Sequence, residues 1–120
     1  MKENKTAPQR LAELRGKAIA LVTESLLRDE SDVVRHEAAF ILGEKAEDPR
    51  REEILDCLCS AAADPSILVR HEVALALAKF PSEKSVKQLF KLARDRSDEV
   101  SGSAEYALVD MLSGTETAGK

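Results

Sequence analysis

Apolar residues recur along this chain at the i, i+3, i+4 spacing that lines one face of an α-helix, and polar residues fill the gaps. One set is Val34, Ala38, Ile41 and Leu42, echoed by Val69, Val73, Ala76 and Leu77. A second set is Ile54, Leu55 and Leu58, echoed by Val86, Leu89, Phe90 and Ala93. The two sets alternate, so the pattern predicts pairs of helices.

Laying the chain on itself gives the reason. A shift of 35 residues brings Arg28 to Gly43 onto Ala63 to Ala78, and eight of the sixteen positions are then identical: Asp29/Asp64, Ser31/Ser66, Val34/Val69, Arg35/Arg70, His36/His71, Glu37/Glu72, Ala39/Ala74 and Leu42/Leu77. A further shift of 31 aligns a weaker third copy that keeps Asp95, Ser97, Val100 and Leu108 and sets Tyr106 opposite Phe40 and Leu75. A fixed period in the thirties with helical periodicity inside it predicts a solenoid, because one hairpin cannot bury its own apolar face and stacked hairpins can.

The breaks between helices carry their own chemistry. Ser31, Ser66 and Ser97 precede the second helices, where a hydroxyl accepts from the free amides of the first turn. Asp48-Pro49 and Pro81-Ser82 open the first helices of units two and three, since proline is tolerated at a helix start and nowhere deeper. Thr6 and Gln9 have capping-box spacing for the opening helix, which Gly16 weakens near its middle. The expected organisation is all-α: a flexible N-terminus over 1–8, one α-solenoid domain over 9–112 with units at about 9–45, 49–79 and 82–112, and a disordered Gly/Thr/Ser-rich tail over 113–120.

Composition narrows the partners. With 33% charged residues and 3% aromatic, the chain suits packed helices better than sheet. Its net charge of −4 is spread over interspersed acids and bases, so it lacks the footprint that phosphate-backbone binding needs, and Phe40, Phe80, Phe90 and Tyr106 fall in apolar stripes as core or near-core residues instead of forming a base-stacking cluster. No apolar run is long enough for a signal peptide or membrane span, and a cytoplasmic protein is expected. Cys57 and Cys59, two apart in a helical pattern, point to opposite sides and read as reduced filler residues, with a Cys-x-Cys metal ligand as the other reading.

The chemistry-bearing feature is the pair His36-Glu37 and its copy His71-Glu72, which hold the only histidines in the chain. One such pair is poorly shaped to chelate an ion, since neighbours on a helix point about 100° apart. Stacking changes that: equivalent positions on adjacent helices lie about 8–10 Å apart, within which two long side chains meet at an ion with bonds of about 2.0–2.2 Å. Two imidazoles and a carboxylate are the ligand set of non-haem iron oxygenases. The other reading is structural: tandem duplication copies polar residues in register, and a glutamate in a helix's first turn is favoured by the helix dipole. Asp29, Asp64 and Asp95 with Arg35 and Arg70 make two further rows, which are expected to bridge neighbouring units by charge-assisted hydrogen bonds. In unit three Ser101, Gly102 and Ser103 replace Arg, His and Glu, so that unit reads as a terminal cap.

The segments VVRHEAAFILGE (Val33 to Glu44) and LVRHEVALALAK (Leu68 to Lys79) resemble the short HEAT repeats of deoxyhypusine hydroxylase and, more distantly, of the phycobilin-lyase-like families. The hydroxylase family looks like two halves of stacked HEAT hairpins, each presenting two His-Glu pairs, that together hold a dinuclear iron centre. This chain is similar to one half, over most of Leu21 to Leu112. The resemblance implies His36, Glu37, His71 and Glu72 as metal residues, iron as cofactor, oxygen-dependent hydroxylation as the reaction, and a homodimer that rebuilds the four-pair site by twofold symmetry. The competing expectation is a metal-free HEAT adaptor whose second helices bind a partner protein.

Overall fold

The computed structural model describes residues 4–118, with side chains described up to Ser113. Six helices follow one another: α1 (Ala7–Arg28), α2 (Asp32–Gly43), α3 (Arg51–Ala61), α4 (Ile67–Leu77), α5 (Glu83–Leu92) and α6 (Asp98–Ala118). They form three antiparallel hairpins with no strand among the described residues. The odd-numbered helices pack in one layer, α3 between α1 and α5, and the even-numbered ones in another, α4 between α2 and α6. The stack is 17 Å in its shortest dimension, two helices thick.

Side-chain caps start α1, α2, α4 and α5, whereas α3 begins at Arg51, two residues past Pro49, with no side-chain cap. Thr6 and Gln9 form the expected capping box on α1, with the Gln9 N–H donating to Thr6 Oγ1 at 3.2 Å and the Thr6 N–H donating to Gln9 Oε1 at 2.8 Å. Ser31 and Ser66 cap α2 and α4 by accepting from the Val34 and Val69 amides. Ser97 stands at the matching place before α6. Before α5, Ser82 makes a capping box with Ser85, which leaves the fully buried Ser85 hydroxyl satisfied. Helix α1 passes Gly16 without a break, and the Arg50 guanidinium occupies the space that a side chain there would take.

Two boundaries differ from expectation. Helix α1 begins at Ala7, inside the segment predicted to be flexible, because its capping box starts it at Thr6; residues 1–3 of that segment lie outside the described residues. Helix α6 continues from Asp98 to Ala118, through most of the tail predicted to lack structure. Extending an existing helix costs no new nucleus, and no proline follows Pro81 to stop it. Residues 119–120 lie outside the described residues.

Burial follows position in the stack. In the central unit Ile54, Leu55, Leu58, Val69, Val73, Ala76 and Leu77 are all buried, because neighbours cover both sides. In the end units the same stripe positions are open: Val34 and Ile41 in unit one, Phe90 in unit three. This corrects the placing of the aromatic residues. Phe80 alone is buried, while Phe40, Phe90 and Tyr106 are exposed, since a stripe position facing the next repeat is covered only where a next repeat exists.

The α2–α4 crossing depends on Gly43. A Cβ there would stand 2.9 Å from Ala76 Cβ and 3.2 Å from Ala76 Cα. Gly43→Ala gains about 1 kcal/mol of helix propensity but overpacks a rigid contact at a cost of about 1–3 kcal/mol. A net loss of stability is expected in thermal unfolding; a raised melting temperature contradicts the close crossing.

Candidate metal centre

Each hairpin turn is tied by the same bond: the carboxylates of Asp29, Asp64 and Asp95 accept the N–H of Ser31, Ser66 and Ser97, each at 2.9 Å. An arginine from the preceding unit then clamps the second and third of these turns. Arg35 donates through Nε and Nη2 to Asp64 at 2.8 and 3.0 Å, while its Nη1 holds the Asp29 carbonyl of its own turn at 2.8 Å. Arg70 repeats the arrangement on Asp95 at 2.8 and 3.1 Å, with Nη1 on the Asp64 carbonyl at 2.9 Å. These rows bridge neighbouring units as the sequence predicts, and they set the register in which the histidine row stands.

The clamp leaves a titration signature. The hydrogen bond from Arg70 holds the Asp95 carboxyl below the usual carboxylate range, against partial burial and helped by the Ser97 N–H. A depressed folded-state value means stability that is complete above the unfolded-state value of about 3.9 and is lost as pH falls through the folded one. Asp95→Asn is therefore expected to lower the melting temperature at pH 7 and to flatten its acid-side decline; an unchanged acid limb counts against the clamp.

The next residues along α2 and α4 form the His-Glu row. His36 Nε2 is 2.9 Å from Glu72 Oε1, so the imidazole of unit one meets the carboxylate of unit two. Glu37 is the looser neighbour, with Oε1 3.6 Å from His36 Nδ1 and its side chain open to solvent. His71 makes the equivalent step into unit three and finds Ser103, which occupies the place of the missing glutamate, with Nδ1 to Oγ at 2.6 Å. Ser103 Oγ donates its one proton to the Glu99 carbonyl at 2.8 Å. With the Ser103 proton on that carbonyl, the tautomer that fits the contact has His71 Nδ1 as donor and leaves a lone pair on Nε2. Ser103 was not among the residues predicted from sequence, although the 31-residue shift that sets it opposite Glu72 is the signal that finds it.

The structure thus joins His36 to Glu72 closely and to Glu37 loosely, and directs His71 toward the last hairpin. Among the described residues no group of three His, Cys, Asp or Glu side chains is arranged to hold an ion. The 2.9 Å between His36 Nε2 and Glu72 Oε1 is the length of a hydrogen bond, and it joins an imidazole nitrogen to a carboxylate oxygen, two donor types found in non-haem iron sites.

The cysteines stand apart from this row. Cys57 is buried, its thiol donates to the Thr23 carbonyl at 3.6 Å, and burial, reinforced by Glu53, pushes its pKa up to about 11. Burial also raises the half-buried Cys59, with Asp56 adding to the effect. Both thiols are free, and neither has the electropositive setting that makes a nucleophile. No helix among the described residues is long and apolar enough to cross a membrane.

Known proteins agree with this architecture. The family of HEAT repeats matches residues 19–109. Deoxyhypusine hydroxylase-B of Oryza sativa subsp. japonica is 35% identical over 112 residues, covering 91% of this chain and 36% of that protein. Deoxyhypusine hydroxylase of Neurospora crassa is 32% identical over 99 residues, 69% of this chain and 30% of its own length. The Saccharomyces cerevisiae enzyme of the same name is 30% identical over 79 residues, 66% of this chain and 24% of its own length. The chain therefore spans about a third or less of these relatives. Three stacked two-helix units, an in-register Asp-Arg ladder and a match over most of the sequence lead to one conclusion: this chain belongs to the HEAT-repeat family, and within it resembles the deoxyhypusine hydroxylases.

Proposed function

We propose that this chain is a metal-binding HEAT module of the hydroxylase type, in which His36, His71 and Glu72 supply ligands to a non-haem iron site and a second copy of the chain completes it. The observation that carries the reading is the 2.9 Å approach of His36 Nε2 to Glu72 Oε1 across two repeats. In that role His36 gives up its Nε2 proton to bind, Glu72 brings a carboxylate oxygen, and His71 offers Nε2 while Ser103 holds the ring by Nδ1. Glu37, exposed on the same row, faces outward toward a partner's ligand set. A twofold homodimer sets two such rows across one cleft. Bound iron there supplies oxygen activation, and hydroxylation is the proposed activity. The cytoplasm, where free thiols stay reduced, is the proposed compartment.

Elemental analysis and light-scattering mass on one sample, purified after iron-replete expression, test the proposal. Near one iron per chain in a dimer is the expected result; an iron-free monomer removes it. A second reading has its own observation: both imidazoles already have protein partners, so the row also makes sense as a repeat-to-repeat hydrogen-bond ladder in a metal-free scaffold whose even-numbered helices bind a partner protein. An iron-free protein that keeps its thermal stability favours that scaffold.

A further inference from the structure

We propose that two copies associate end to end, the outer stripe of α1 in one copy seating in the groove between α5 and α6 of the other. The middle hairpin of the stack is covered by neighbours on both sides, and the two end faces are left uncovered. At the first end Leu11, Leu14, Ala18 and Leu21 fall at i, i+3, i+7 and i+10, a single stripe along α1, with the three leucines 50%, 61% and 66% exposed. Gly16, Ile19 and Leu26 occupy the other side of α1, facing its own core. At the far end Val86 and Phe90 of α5 and Leu108, Val109 and Leu112 of α6 line a groove of about 590 Å³. Phe90, Val109 and Leu112 are each more than 60% exposed. Two apolar faces of this kind on one small chain mark interaction surfaces.

Charge decides which faces meet. Arg10, Lys17 and Arg28 border the α1 stripe along one flank, and Arg15 adds a fourth base against the two acids Glu13 and Glu24. From Asp98 to Ser113, α6 carries Asp98, Glu99, Glu105 and Asp110 and no base. Among the described residues Glu99, Glu105 and Asp110 have no ion pair, whereas Lys84 and Lys87 of the neighbouring α5 are already held by Asp56 at 2.7 Å and Glu83 at 3.1 Å. An α6–α6 contact opposes acid to acid and an α1–α1 contact opposes base to base. Only α1 on α6 pairs opposite signs around an apolar centre, and as a head-to-tail contact it repeats from copy to copy. The contact also continues the stacking rule of the fold, in which α3 lies against α1 and α2, and α5 against α3 and α4. It does not rest on the iron reading.

Sedimentation equilibrium of the full chain in chelator tests the contact. The wild type is expected to self-associate as concentration rises and to dissociate more readily as salt rises. Lys17→Glu with Arg28→Glu, and separately Glu105→Lys with Asp110→Lys, are each expected to weaken the association by about tenfold or more. All four changes in one chain restore opposite signs and bring affinity back to within about threefold, an outcome that α1–α1 or α6–α6 pairing does not give. Leu21→Glu, at an exposed position, is expected to abolish association with helicity unchanged by circular dichroism. A wild type that stays monomeric, or a fourfold variant as weak as the double ones, overturns the proposal. An iron-free protein that keeps the swap pattern fails only the iron reading, and an iron-loaded protein without the pattern fails only this one.

Discussion

Phe80→Ala is expected to lower unfolding free energy by about 3–5 kcal/mol, a larger loss than the overpacking at Gly43 brings. The ring is fully buried in the connection between α4 and α5, and the Arg51 guanidinium lies 5.9 Å from its centroid. Its removal leaves a cavity where units two and three join, and a rigid stack cannot collapse to fill it. Against the total of about 5–15 kcal/mol that holds a domain of this size together, the loss removes a large part of the margin. Denaturant midpoints measure it, and hydrogen exchange adds a directional expectation: α5 and α6 lose protection before α1 to α4, because repeats couple only to their neighbours. Phe90→Ala is the control. Its ring is 62% exposed, so in dilute monomer the change stays within about 0.5 kcal/mol. Equal losses for the two variants contradict the burial pattern.

Loss of iron is the second large effect. His36→Ala and Glu72→Ala each remove one member of the 2.9 Å pair, and His71→Ala removes the lone pair that Ser103 leaves free. All three are expected to purify without iron. Ser103→Ala is the informative variant: it touches no metal, yet frees the His71 ring, and loss of such an orienting bond typically weakens metal binding by about 10–100-fold. In a pure scaffold Ser103→Ala shifts melting temperature alone. Equal iron content in Ser103→Ala and wild type, with His71→Ala iron-free, limits Ser103 to a structural role.

Most of the fold is legible in the sequence, for one physical reason. A repeat prints its period on the chain, and the in-register Asp, Ser and Arg residues are the same turn and the same clamp made again in successive units. The misplaced features are those a repeat does not encode. Phe40, Phe90 and Tyr106 sit at stripe positions whose burial depends on a neighbour that the end units lack. The extension of α6 past Ser113 depends on an existing helix and not on the polarity of SGTETA. For the candidate site, the identities of His36, Glu37, His71 and Glu72 are readable, but the pairing is not. A helix pair alone does not reveal that His36 reaches forward to Glu72, nor that His71, making the same step, meets Ser103. That asymmetry comes from the degraded third repeat, whose serine keeps a hydrogen bond and gives up a carboxylate.

Imidazole NMR during anaerobic Fe(II) addition to the metal-free protein is the most direct test of the central claim, that side chains of successive repeats open onto one ion. The expected result is that His36 and His71 signals broaden together at substoichiometric iron, ahead of every other assigned resonance outside α2 and α4. Both imidazoles remaining sharp while iron perturbs only exposed carboxylates contradicts it.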